Sequence, residues 1–310
     1  MRTALLWLAV GGVMACGPAV RTTSGEVDGG SDAVGFDADQ QFPPVDGMAA
    51  TCDKIDVLFV IDNSGSMDQE QQNLIANFPT FISVLDASGL DYRVGVTTSG
   101  RDYEWTMATP IGPLPQDQDG GHNGKLLKPA ACNMTNKWID KTDPDPATKF
   151  SCVANVGIEG PSHEMPLGAI RDAFEDRIAD GTNAGFRRAD ALLALVVLTD
   201  ENDCSYEQSV NLAFGQTLCQ SGTEPVAGYV SFLDQYTGHR SRWATAVIAG
   251  KGPGSCSSSF GNAAEATRLK SFVTQTGTNA VISSICDGDL SIGLGQALDL
   301  FDSACGGIIF

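Results

Sequence analysis

Ile55-Asp56-Val57-Leu58-Phe59-Val60-Ile61-Asp62-Asn63-Ser64-Gly65-Ser66-Met67 is the stretch on which the fold turns. Its first seven residues form a dense apolar run broken only by Asp56, the pattern of a strand buried on both faces. A short polar turn follows. Beyond it, residues 68–87 carry Leu74, Ile75, Phe78, Phe81, Ile82 and Leu85 at helical spacing. A buried strand, a tight polar turn and an amphipathic helix make the first half of a βαβ unit.

The same rhythm continues along the chain. Strands are expected at 92–98, 192–199, 243–249 and 281–285, and helices at 164–179, 226–236, 263–276 and 290–301. Strands alternating with helices of this length predict an α/β fold, a doubly wound, mainly parallel sheet with helices on both faces. Right-handed crossovers place the helices, and ligands bind outside the carboxyl ends of the strands. Residues 100–156 interrupt the alternation. They are rich in Pro, Gly, Asp and Asn and read as an insertion with one short edge strand near Lys125, Leu126 and Leu127.

The order strand, Asp-x-Ser-x-Ser, helix closely resembles the metal-ion-dependent adhesion site of von Willebrand A domains. Val60-Ile61-Asp62-Asn63-Ser64-Gly65-Ser66-Met67 carries the likeness, and Val196-Val197-Leu198-Thr199-Asp200 supplies a second acid at a strand end. The resemblance covers residues 52–305. It implies a Rossmann-like fold holding Mg²⁺ (or Mn²⁺ or Ca²⁺) on Asp62, Ser64, Ser66 and Asp200. It also implies an acidic group from a partner completing the shell. A hard cation wants about six oxygens, and two carboxylates with two hydroxyls begin that set while leaving the ion electrophilic. The family also has a threonine in a later loop. Here Ile158 stands in its place, and Ser162 and Glu164 are the weak substitutes. Asp200-Glu201-Asn202-Asp203-Cys204 forms an acidic rim that tunes the site or holds a second cation. For Glu201 and Asp203 a solvated loop is the plainer reading.

Charge and targeting bound the function classes. The chain has 310 residues with 38 acidic and 19 basic ones, for a net charge of −19. Such a surface repels nucleic acid and attracts cations. Residues 1–16 combine Arg2, an apolar run from Ala4 to Val13, and Met14-Ala15-Cys16. The run is too short to span a bilayer. It resembles a bacterial lipoprotein signal in which Cys16 is lipidated, and a plain signal peptide cleaved nearby is the alternative. Residues 17–51 are Gly-, Pro- and acid-rich without apolar periodicity, so they read as a disordered tether.

Nine cysteines are present. Assigning Cys16 to lipid leaves eight, with 105 possible pairings. Topology narrows them. Cys52 precedes the first strand and Cys305 follows the last helix, so they pair as a clasp. Cys132 and Cys152 pin the insertion, Cys204 and Cys219 bracket the loop after the Asp200 strand, and Cys256 and Cys286 flank adjacent strands. Disulfides fit an oxidising compartment outside the cytoplasm.

Enzyme signatures are absent. His163-Glu164 begins like a zinc-protease motif, but Leu167 stands where the second histidine is required. The expectation is a non-enzymatic, metal-dependent adhesion-type module, lipid-anchored at the bacterial envelope on its periplasmic or cell-surface side. Its ligand would be a protein or surface glycan. The alternatives are a structural lipoprotein whose metal staples the fold, and a hydrolase subunit with chemistry in the insertion.

Overall fold

The computed structural model describes residues 52–221 and 223–308. The signal segment with Cys16 and the tether lie outside these residues. In chain order the regular elements begin with β1 (Lys54–Ile61), α1 (Asp68–Ser88) and β2 (Asp91–Thr98). The insertion contributes β3 (Tyr103–Thr109), β4 (Gly112–Gln118), β5 (Trp138–Asp140) and α2 (Pro146–Val153). Then come α3 (Pro166–Phe174), α4 (Asp176–Ala179), β6 (Leu192–Leu198), β7 (Asn211–Leu212) and α5 (Val226–Thr237). The chain continues through β8 (Trp243–Ala249), β9 (Cys256–Ser258), β10 (Gly261–Ala263), α6 (Thr267–Thr276), β11 (Ala280–Ser284) and α7 (Ser291–Gly306).

A six-stranded sheet in the order β11-β8-β6-β1-β2-β5 forms the centre. Its strands are parallel except β5, which pairs antiparallel with β2. The alternation of β1 divides the core. Ile55, Val57, Phe59 and Ile61 join a cluster with α1, α2 and α7 side chains such as Leu74, Phe78, Phe150 and Phe301. Leu58 and Val60 join another with α3, α5 and α6 through Ile170, Leu233 and Phe272. Each fully buried side chain of this size contributes roughly 1.5–3 kcal/mol, so both clusters bind the helices to the sheet and fix its register. A smaller cluster, with Tyr103, Met165, Tyr206 and Leu218, lies under the three-stranded sheet β4-β3-β7.

Three expected elements are corrected. The edge strand is β5, not residues 125–127. Leu127 N–H does donate to Val96 O at 2.8 Å, but Leu126 turns into the core against Gly95 and no strand forms. The insertion also builds the β3–β4 hairpin, which lacks the clean alternation that would announce it. The helix expected over 164–179 starts at Pro166 and breaks at Glu175. The residue before a proline avoids the helical region, and Met165 has φ −127° and ψ 52°, so Glu164 is outside the helix. The helix expected from 263 begins at Thr267. Ala264 N–H is committed to Asp200 O and Ala266 N–H to Gly250 O, which keeps the preceding backbone extended.

The structure contains four disulfides: Cys52–Cys305, Cys132–Cys152, Cys204–Cys219 and Cys256–Cys286. Among the described residues no helix is long and apolar enough to cross a membrane.

Candidate metal centre

Parallel register sets the site. Ile61 pairs with Thr98 on one side and Leu198 on the other. The next residues, Asp62, Ser99 and Thr199, therefore stand in a row at the carboxyl edge of β1, β2 and β6. Backbone bonds extend the ladder one step: Asp62 N–H to Leu198 O at 2.9 Å and Ser99 N–H to Ile61 O at 3.1 Å.

Asp62 is fully buried. Its Oδ1 accepts from the Ser64 N–H at 2.8 Å, and its Oδ2 accepts from the Thr199 hydroxyl at 2.6 Å. The Ser64 and Ser66 hydroxyls are 3.2 Å apart. The Ser66 hydroxyl lies near the Asp200 carboxylate. Asp200 is buried, and its Oδ1 has no protein donor. Gln71, in the first turns of α1, donates through Nε2 to Asp62 O at 2.9 Å and to Gly157 O at 2.8 Å. That bridge ties the β1 turn to the loop before α3.

Glu164 comes to the site, whereas Ser162 does not. Glu164 is fully buried and within hydrogen-bonding reach of Asp62. Its Oε2 accepts from the Ser99 hydroxyl at 2.5 Å, and its Oε1 has no donor. Ser162 is exposed on the loop. Ile158 is exposed, and its carbonyl passes 4.0 Å from the position of a Cβ on Gly65.

Crowding of acids marks the electrostatics. Burial, reinforced by the Asp62 charge, pushes Glu164 up to about 9. Burial raises Asp62 against the hydrogen bonds from Thr199 and Ser64. Burial, together with the Asp62 charge, lifts Asp200 to about 6. Desolvation disfavours the charged form of each, and like charges add to it. No lysine or arginine is ion-paired to Asp62, Glu164 or Asp200 among the described residues. Neither do three His, Cys, Asp or Glu side chains form a ready ligand cluster there; the donors are carboxylates mixed with hydroxyls.

The acidic rim divides. Glu201 is exposed. Asp203 is not solvated, contrary to expectation: it is fully buried and accepts from Leu167 N–H at 3.1 Å, the Ser205 hydroxyl at 2.5 Å and Arg268 Nε at 3.0 Å. It holds the start of α3 and is ion-paired to Arg268. His163 places its Nδ1 against Gln118 Oε1 at 3.0 Å. The sequence assigns no role to Thr199, Ser99 or Gln71. The available signal for Thr199 was its place beside Asp200 at the end of a strand adjacent to β1.

No protein-family model matches the chain, and no curated protein matches it. Among solved structures, proximal thread matrix protein 1 from the mussel byssus is similar, with a TM-score of 0.43 and 11% identity over 80% of this chain and 48% of that one. The pilus adhesin SpaC from Lactobacillus rhamnosus GG, in its open conformation, is similar with a TM-score of 0.42 and 10% identity, over 81% of this chain and 30% of that one. The chain thus spans less than half the length of these structures.

Proposed function

We propose that the chain is a von Willebrand A-like, metal-dependent binding module. Its folded part is the doubly wound arrangement of that family. Lipid on Cys16 tethers it to the bacterial cell envelope, on the periplasmic or cell-surface side, and its metal face takes a protein or surface-glycan ligand. One observation carries the reading: Asp62, Ser64, Ser66 and Asp200 converge at the carboxyl edge of β1 and β6, and the buried Asp200 Oδ1 has no protein donor. Buried acids without a neutralising side chain suit a hard divalent cation, for which carboxylate and hydroxyl oxygens are the matching donors. Asp62 and Asp200 would supply charge and the serines neutral oxygens. Glu164 would stand where the family has threonine, as an additional carboxylate. The ion would supply an electrophilic position for an acidic group of the partner.

Calorimetric titration with Mg²⁺ and Mn²⁺ tests the site. Asp62→Ala abolishes binding, Asp200→Ala and Glu164→Gln weaken it about tenfold or more, and Ser162→Ala leaves it unchanged. Undiminished affinity in both aspartate variants would sink the assignment.

A second reading has its own observation. Both Asp62 oxygens already have protein donors, so the turn has an internal scaffold and an ion could serve only to staple the fold. Chelation separates the two. Loss of partner capture from envelope extract with an unchanged circular dichroism spectrum supports the binding module. Loss of the fold supports the staple.

A further inference from the structure

The β3–β4 hairpin has one face in the molecule and one outside it. Tyr103, Trp105 and Met107 pack into the small cluster with Tyr206 and Leu218. Alternate residues of a strand take the opposite face. Glu104, Thr106 and Ala108 therefore point away, with Asp117, Pro115 and Pro113 directly across from them on β4. The pairing of Thr106 with Asn211, carried two residues back, sets Ser209 beside Glu104. Glu104, Asp117, Asp119 and Ser209 are all exposed, and with Thr106 and Pro115 they line a cavity of about 370 Å³.

Charge on this face is unbalanced. Glu104 stands directly across from Asp117, and like charges at opposed positions of an antiparallel pair repel. Among the described residues, no lysine, arginine or histidine is ion-paired with Glu104, Asp117 or Asp119. Toward the turn, charge vanishes. Residues 105–116 and 208–221 carry no charged side chain, while Ile111 is 99% exposed, Phe214 72% and Leu114 50%. The β3–β7 register, carried two residues on, places Phe214 beside Thr109, at the turn that presents Ile111. The tip has its own scaffold. The Thr109 hydroxyl donates to Gly112 O at 2.6 Å and accepts from Ile111 N–H at 3.3 Å. The Cys204–Cys219 bridge closes the segment that holds Ser209, β7 and Phe214.

We propose that this outer hairpin face docks a basic segment of a partner protein. Lysine or arginine side chains meet Glu104 and Asp117, and apolar side chains meet Ile111, Leu114 and Phe214. Charge decides the occupant. A second copy of a chain with net charge −19 brings more acid to the acidic end, and an anionic lipid surface is repelled by it. Cationic side chains relieve the repulsion between Glu104 and Asp117, and complementary charge fixes register as well as speeding encounter. An exposed apolar patch rimmed by polar residues is the usual mark of a protein contact. Five residues of strand separate Glu104 from Thr109, roughly 17 Å, which sets the spacing of the partner's basic and apolar groups. Pro113 and Pro115 remove backbone donors from β4, the edge of its sheet. Docking therefore proceeds through side chains on the face and not by adding a strand. The surface uses no residue of the metal centre and does not depend on a bound ion.

The test is calorimetric titration of the full chain, in chelator, with the amidated peptide Lys-Lys-Ser-Ser-Ser-Leu-Leu. Saturable binding that weakens with salt is expected, and none for the same peptide with glutamate in place of lysine. The double variant Glu104→Gln/Asp117→Asn weakens binding about tenfold, the loss of two complementary charges. Ile111→Ser/Phe214→Ser weakens it as well, but leaves binding of a peptide with serine in place of leucine unchanged. Asp299→Asn/Asp302→Asn removes the same charge from exposed positions on α7 and leaves binding unchanged, as does Asp62→Ala. All the substituted hairpin positions are exposed, and an unchanged dichroism spectrum verifies the fold of each variant. Absence of saturable binding overturns the proposal. So does an equal loss in the α7 variant, which would reduce the effect to net charge, or a loss confined to Asp62→Ala, which would move it to the metal edge. Two further results overturn it in favour of another occupant. One is self-association in sedimentation that Ile111→Ser abolishes; the other is binding to phosphatidylcholine vesicles that Ile111→Ser abolishes.

Discussion

Glu70 lies in the first turn of α1, 2% exposed, with its Oε2 lacking any hydrogen-bond partner. A Cβ on Gly261 would collide with its Oε1, so only glycine lets β10 pass this close. Burial, with the nearby charges of Asp200 and Asp62, pushes Glu70 up to about 7. A folded-state pKa above the usual carboxylate value means that the native state holds the proton more tightly than the unfolded chain. The stability this gives is complete below the unfolded pKa and is lost as pH rises through about 7. The loss is at most about 3 kcal/mol. Glu70→Gln removes it, so in chelator the variant loses less stability than wild type between about pH 5 and about pH 8. Urea unfolding at the two pH values measures this, and parallel losses in both proteins would refute it. Asp62, Ser64, Ser66 and Asp200 are named by the family resemblance, and each stands within a few residues of a readable strand end. Glu70 is not named, because its neighbours Gly261 and Asp200 lie far along the chain and nothing local marks a buried acid in a polar helix turn.

The loop before α3 joins the centre through backbone contact. Gly160 N–H donates to Asn63 O at 2.8 Å, and a Cβ on Gly160 would strike the Asn63 side chain. Gly160→Ala therefore pushes this loop off the β1 turn, costing about 1–3 kcal/mol and, through the Gln71 bridge to Gly157, lowering Mg²⁺ affinity as well. Thermal unfolding and titration read the two effects; a variant with wild-type values in both would show that the loop does not support the turn. The alternating elements were legible because β6 is an unbroken apolar run, β1 beyond Lys54 is interrupted only by Asp56, and the helices keep a regular stripe. The insertion was not legible. Its hairpin strand β4 carries Pro113 and Pro115, residues that demote a strand from sequence, and β5 is only three residues long. The position of Glu164 depended on Pro166, a signal that was present but outweighed by the apolar stripe running on to Ile178.

Across the whole molecule, the four disulfides close loops of very different size. Cys204–Cys219 spans 15 residues and Cys52–Cys305 spans 253. In the chain-entropy view the long closure restricts the unfolded chain more, by about 5 kcal/mol against about 3 for the short one. The double variant Cys52→Ser/Cys305→Ser should thus lower the unfolding midpoint more than Cys204→Ser/Cys219→Ser does. Scanning calorimetry of the two gives the order, and a reversed order would point to native contacts around Cys204, not chain entropy, as the larger effect. The long bridge also decides how the molecule carries mechanical load. A pull between the chain before Cys52 and the chain after Cys305 passes through the bridge and leaves the body unstretched. A pull between Cys52 and Asp62 runs instead along β1, from Lys54 to Ile61, with β2 and β6 bonded on either side. That strand can be withdrawn only by shearing both ladders together.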